Sequence, residues 1–120
     1  MHSYRRLDAW KHAHAALRLT LRATDDAYHG KSRALFDQLK RAAISVEANI
    51  VEGYALGTPA LCRRHLRIAF GSAAEAEDLA VAAGEAEYLD MSIVTQLETA
   101  FGGAMRSLRQ LLRNPPNSGG

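Results

Sequence analysis

The chain has little of what stabilises secreted, membrane or β-rich proteins. Its 120 residues include one cysteine, Cys62, so an intramolecular disulfide is impossible and a reduced, cytoplasmic setting is the expectation. No run approaches the ~18 apolar residues that a membrane helix requires. The opening Met1-His2-Ser3-Tyr4-Arg5-Arg6 leads into no long apolar stretch, because Arg18 and Arg22 interrupt it. Neither membrane association nor a signal peptide is therefore expected. Aromatic residues make up only 7%, and apolar and polar residues nowhere alternate with period two for long enough to argue for a strand. What remains is one small domain of 13.1 kDa, large enough to bury roughly two-thirds of the surface its unfolded chain exposes.

What is present is helical periodicity. Leu7, Trp10, His14, Leu17 and Leu21 follow a 3-4-3-4 spacing that stacks them on one face of a helix, and this face is the expected core of the first segment. Phe36, Leu39, Ala43, Val46 and Ile50 repeat it in a second segment, and Ile93, Leu97, Ala100, Ala104, Leu108 and Leu111 in a fourth. The third, from about Pro59 to Ala86, is rich in alanine, with Leu66, Ile68, Phe70 and Leu79 spread more widely. Punctuation agrees. Tyr28-His29-Gly30 breaks the pattern, Ser32 is placed to cap the second helix with its hydroxyl, and Gly53 stands where that helix is expected to end. Thr58-Pro59 marks a restart, and Asp90 or Ser92 the last one. Short connections make sequential neighbours antiparallel, so the expected fold is all-α: an antiparallel up-down-up-down four-helix bundle over residues 1–113. The tail 114–120, Asn-Pro-Pro-Asn-Ser-Gly-Gly, is expected to stay outside it. Gly71 and the pair Gly102-Gly103 fall inside helices, where glycine costs about 1 kcal/mol against alanine. Close approach of the third and fourth helices is the expected compensation, with a kink as the alternative.

The stretch Gln38-Leu39-Lys40-Arg41-Ala42-Ala43-Ile44-Ser45-Val46-Glu47-Ala48-Asn49-Ile50-Val51-Glu52-Gly53 resembles the signature of the 23S rRNA intervening-sequence protein family. Leu7 and Trp10, Ala69-Phe70-Gly71-Ser72 with Glu75, and Tyr88-Leu89 extend the resemblance over about residues 7 to 112. Glu47 and Val51 stand where that family usually carries smaller residues, and the first loop lacks its common proline. The resemblance implies a four-helix bundle, a ring-shaped homopentamer and no enzymatic activity. Among related proteins, accessory proteins of diversity-generating retroelements bind RNA and a reverse transcriptase through a basic surface.

Gln38, Arg41, Ser45, Asn49 and Glu52 form a polar stripe beside the apolar one, an arrangement that requires paired partners near a core. With Ser72 and Glu75 they are read as a structural network: Asn49 and Glu52 bracing the turn that Pro59 opens, where the backbone N–H groups of Ala60 and Leu61 are free, and Arg41 reaching Glu75. An acidic metal site on Glu52, Glu75 and Glu77 would need the Glu-x-x-His pair of bundle di-metal proteins, which does not occur. His12 and His14, two apart, point to different faces of a helix, and His14 takes a core slot as a hydrogen-bonded packing residue. Cys62 sits beside Arg63 and Arg64, which would lower its pKa, but no matched histidine and acid make it a nucleophile. No glycine pattern suits a phosphate loop. No cofactor or metal is expected, and no catalytic residue is assigned.

The net charge of +2 conceals a division. Residues 1–70 hold twelve lysines and arginines against six acids, and residues 71–120 hold three against seven. In an alternating bundle Arg5, Arg6, Lys11, Arg63, Arg64, Arg67, Arg106, Arg109 and Arg113 gather at one end, while Asp25, Asp26, Asp37, Glu85, Glu87, Asp90 and Glu98 gather at the other. Arginine suits bidentate phosphate contacts, so the basic end is the candidate nucleic-acid-binding surface, RNA first. Ile44, Val51 and Leu19 lie off the main apolar stripes and are the candidate oligomer interface. The expected function is that of a non-enzymatic homo-oligomeric binding or scaffold protein. The alternative is a protein adaptor, for example accessory to a reverse transcriptase, with no direct nucleic-acid contact.

Overall fold

The computed structural model describes residues 3–27 and 29–113; Met1, His2, Tyr28 and the tail 114–120 lie outside the described residues. Four helices follow in order: α1 (Asp8–Asp26), α2 (Arg33–Ala55), α3 (Pro59–Glu85) and α4 (Met91–Arg113). Short 3-10 turns at Ser3–Arg6 and Gly30–Ser32 precede α1 and α2, and no strand occurs among the described residues. Each helix packs on two others, α1 on α2, α2 on α3, α3 on α4 and α4 on α1, in a body 49 × 22 × 20 Å. A helix as long as α3 spans about 40 Å at 1.5 Å per residue, so the helices set the long dimension.

Small residues make this packing close. The buried face of α3 is Cys62, Leu66, Ala69, Ala73, Ala76, Ala80 and Ala83, which from Leu66 onward repeats at alternating steps of three and four. Of the widely spread larger residues only Leu66 is in that core; Ile68 is exposed, while Phe70 and Leu79 are half-buried at its margin. The same correction applies to α1. Its buried row is Ala9, Ala13, Ala16, Thr20 and Ala23, one residue and so about 100° away from the expected Leu7, Trp10, His14, Leu17 and Leu21. Those larger side chains flank the interface, and Leu21 is 40% exposed. The buried Thr20 and Thr24 hydroxyls donate to the carbonyls of Ala16 (2.7 Å) and Thr20 (2.8 Å), which satisfies them inside the core. Phe36, Leu39 and Ile50 of α2 and Leu97, Phe101 and Leu108 of α4 supply the bulk that the alanines omit, at the spacings expected for α2 and close to those for α4.

The helix ends correct two further expectations. Gly53 does not terminate α2; it is buried within the helix, where an added Cβ would lie 3.1 Å from His65 Cβ and 3.3 Å from the Cys62 carbonyl oxygen. Its use is close approach to α3, and the chain turns instead at Gly57, whose φ of +80° favours glycine. Ser32 does not cap α2 either: its hydroxyl donates to the His29 carbonyl (2.9 Å) and accepts from the His29 N–H (3.3 Å), closing the preceding turn. Thr58 accepts from the Leu61 N–H at 3.2 Å, and Pro59 opens α3. Among the internal glycines, Gly103 faces the His12 ring of α1, whereas Gly71 is exposed with no atom within 4 Å of an added Cβ, so close packing does not account for it.

These environments predict opposite effects for one substitution. Gly84→Ala places a methyl 2.8 Å from Val94 Cγ2 and 3.2 Å from Met91 Sδ, which should cost about 1–3 kcal/mol. Gly71→Ala should gain up to about 1 kcal/mol. Urea unfolding midpoints of the two variants, moving in opposite directions from the parent, check this.

Candidate nucleic-acid interface

The candidate surface is built where α1 begins and α4 ends. A cleft of about 410 Å³ is lined by Arg6, Leu7, Asp8 and Ala9 on one side and by Ser107, Gln110 and Leu111 on the other. Across the same region Arg63 Nη1 donates to the Leu112 carbonyl at 3.1 Å, answering one of the backbone acceptors that the last turn of a helix leaves unpaired. The Arg109 guanidinium lies 5.4 Å from the Phe70 ring centre, and that of Arg5 lies about as far from Trp10, at 5.9 Å. Three of the nine assigned cations are thus held by contacts within the chain. Arg6, Lys11, Arg64, Arg67, Arg106 and Arg113 are exposed and make no ion pair or hydrogen bond among the described residues. Asp8, in the first turn of α1, is an acid inside this group that the sequence argument overlooked; it suits the positive end of its helix.

Aromatic contacts beside the cleft were also unforeseen. The His14 ring stacks on Trp10 at 4.7 Å with 10° between planes, and His14 Nδ1 donates to Glu47 Oε1 of α2 at 2.8 Å. His14 is therefore a half-exposed tie between α1 and α2 rather than a core residue. The Trp10 Nε1 and Tyr54 hydroxyl are buried without a protein partner among the described residues.

The polar stripe of α2 faces α3. Ser45 and Ser72 share a hydroxyl bond of 2.7 Å, and Gln38 Nε2 donates to Glu75 at 2.7 Å. Asn49 Nδ2 donates to the Ser45 carbonyl (2.8 Å) and hydroxyl (3.1 Å), while its Oδ1 accepts from His65 Nδ1 at 2.8 Å. His65 was missed in the sequence, since nothing local marks it as the partner of a residue sixteen positions earlier. Glu52 approaches the same nitrogen at 3.6 Å. Two expected contacts are replaced: Thr58, not Asn49 or Glu52, accepts from Leu61, and Gln38, not the exposed Arg41, reaches Glu75. The network holds two helices together and exposes no grouped acids; no cluster of three metal-binding side chains occurs among the described residues.

Of the apolar residues assigned to an oligomer interface, Ile44 is 48% exposed and Val51 half-buried on α2. Leu19 lies elsewhere, in a groove between α1 and α4. Cys62 corrects another expectation: burial raises its thiol pKa, and the neighbouring arginines do not offset this. Burial, with a smaller contribution from Cys62, pushes Tyr54 up to about 12.

Two outcomes follow from these groups. Cys62 should resist a thiol reagent in the native protein and react fully on unfolding, as followed by absorbance of the released thiolate. Tyr54 stays protonated when folded at pH values where the unfolded phenol, near 10, has ionised, so stability should fall as pH rises from about 10 to 12. Tyr54→Phe should flatten that fall, with little loss of stability at neutral pH because the hydroxyl has no partner; urea titrations across pH measure both.

Among known families, the 23S rRNA-intervening sequence protein model matches residues 5–110. No curated protein matches the chain. Among the described residues no helix is long and apolar enough to cross a membrane.

Proposed function

Since the chain belongs to the 23S rRNA-intervening sequence protein family, we propose that it is a non-enzymatic, oligomeric binding protein that holds RNA against its arginine-rich end. The observation that carries this reading is the convergence of Arg6 and Arg63 on the last turns of α4, which brings cations far apart in the chain to one place. The family description refers to where such genes lie and does not itself argue for ribosome binding.

The reading requires the helices to run alternately up and down, and the order of cross-helix pairs supports this. As α2 is followed from Gln38 through Ser45 to Asn49, the partners on α3 fall from Glu75 through Ser72 to His65. On the next pair, Arg63, Phe70 and Gly84 meet Leu112, Arg109 and Val94. With that alternation Arg64, Arg67, Lys11 and Arg113 join the same end. Phosphate-dominated binding of this kind reads sequence poorly and weakens steeply with salt.

Self-association is part of the proposal. Ile44 and Leu21 are exposed, and Trp10, Leu17 and Val51 are only partly covered, on the flank where His14 meets Glu47. A ring of five copies is what the family resemblance implies. The adaptor reading draws on Leu56 and Leu61, exposed apolar residues close in sequence to Arg63 and Arg64 of α3, which suit a protein partner better than RNA.

Anisotropy titration of labelled RNA at two salt concentrations tests the main reading. Binding should be strong at low salt, and Arg64→Glu with Arg67→Glu should weaken it at least about tenfold; absent binding, or binding indifferent to that change, rejects it. Light scattering tests assembly: the parent should exceed the 13.1 kDa of one chain, and Ile44→Asp should lower its mass towards that value.

A further inference from the structure

Arg18 and Arg22 are cations that the arginine-rich end does not account for, and they belong to a second feature. With Ala15 and Leu19 they line a hollow of about 230 Å³. Ala15 and Leu19 also line a neighbouring hollow of about 380 Å³, completed by His12 of α1 and by Thr95, Gln96, Thr99, Ala100 and Arg106 of α4. The shared residues make the two hollows adjoin: the larger lies between α1 and α4, and the smaller continues from it over the outer face of α1.

The groove exists because its floor is short. Ala15 and Ala100 carry only methyls, and the Thr95 and Thr99 hydroxyls turn back to donate to the carbonyls of Met91 (3.0 Å) and Thr95 (2.9 Å). Its charge is of one sign. Among the described residues no carboxylate lines either hollow. The Glu77 carboxylate approaches Gly102 from α3, but no ion pair joins it to Arg106. Arg18, Arg22 and Arg106 are exposed and make no hydrogen bond or ion pair among the described residues.

We infer that this groove seats the phosphate backbone of a single RNA strand, carrying the strand from the arginine-rich end along the side of the molecule; the inference rests on the RNA-binding reading above. Lys11, Ala15, Arg18 and Arg22 follow a 4-3-4 spacing, so they form one stripe along α1 that begins among the cations of that end. Arg18 and Arg22 are about 6 Å apart along the axis, a separation that lets each meet a successive phosphate of a strand lying parallel to the helix. Arg106, from α4, lines the adjoining larger hollow. Packed helices stand 8–10 Å apart in general, so the furrow between them admits one strand and not a duplex. Leu19 and Ala100 give the sugar and base edges an apolar surface.

The test uses a labelled oligouridine of about 16 nucleotides, with three proteins: the parent, Arg18→Gln/Arg22→Gln, and Arg64→Glu/Arg67→Glu. Circular dichroism confirms that the variants fold, as exposed positions should allow. The groove variant should bind about tenfold more weakly, and its slope of log affinity against log salt should be shallower by about 1.4, two phosphate contacts at ~0.7 each. Affinity lost in the Arg64/Arg67 variant but unchanged in the groove variant overturns the groove and leaves the end standing. The reverse pattern supports the groove and removes the end from the binding surface. No binding by the parent overturns both. A blunt RNA duplex bound as tightly with the same dependence on Arg18 and Arg22, or oligoglutamate competing as well as oligouridine, also overturns the assignment of a single strand.

Discussion

The alanine seam of α3 is the constraint on which the rest of the structure depends. Ala69, Ala73, Ala76, Ala80 and Ala83 are fully buried and offer one methyl each, so neighbouring helices can pack against α3 nearly at backbone contact. Gly53 and Gly84 extend that principle to its ends, resting on the Cys62 carbonyl and the Val94 side chain. Little volume is left between the helices for large side chains. A few, such as Phe36 and Phe101, fill the centre, and others are displaced to the margins. The displaced set includes Trp10, Leu17, Leu21 and Ile68. A narrow core thus accounts for an apolar surface that a wider core would have absorbed.

A polar seam accompanies the apolar one and fixes register. Alanines repeating at regular intervals would let two helices slide by a heptad at small cost, because each methyl meets another of the same kind. The Ser45–Ser72 and Gln38–Glu75 bonds, with Asn49 held between Ser45 and His65, are made at one register only. Each such bond contributes about 1 kcal/mol net, and sliding would also strand half-buried donors without partners. Specificity of alignment, more than stability, is what these residues add.

The sequence was most legible where size and burial agree. In α2 the residues Phe36, Leu39, Val46 and Ile50 are the large apolar ones and also the buried ones, so spacing alone identified the inner face. It was least legible in α1 and α3, where periodicity of large residues marks a flank and periodicity of alanine marks the core; both patterns repeat at helical intervals, and transfer energy favours choosing the larger side chains. The Thr58-Pro59 start was legible because its chemistry is local, while Gly53 was misread because a glycine that ends a helix and one that admits a neighbour look alike until the neighbour is known. For the candidate site, the sequence offered only an expected charge placement that followed from the expected topology. The engagement of Arg63 by a carbonyl 49 residues away, and of Arg109 by a ring, could not, because each depends on which neighbour a long side chain reaches.

The departures from the family pattern acquire a physical sense in this arrangement. Glu47, which the sequence resemblance marks as a departure, accepts from His14, and His14 in turn covers one face of Trp10. Val51 lies one turn further along the same side of α2. A small residue at position 47 would leave the imidazole without its acceptor, and the α1–α2 flank would lose its one side-chain hydrogen bond among those described. That flank is also the apolar one, bordered by Leu21 and Ile44, whereas the face of α1 opposite the alanine row carries Lys11, Arg18 and Arg22. One helix therefore divides its circumference into an alanine row for the core, an apolar row towards α2 and an exposed cationic row facing away from the core. A rotation of α1 by one residue would exchange all three, so the His14–Glu47 bond, by fixing that rotation, also determines which surface is left for a partner of either kind.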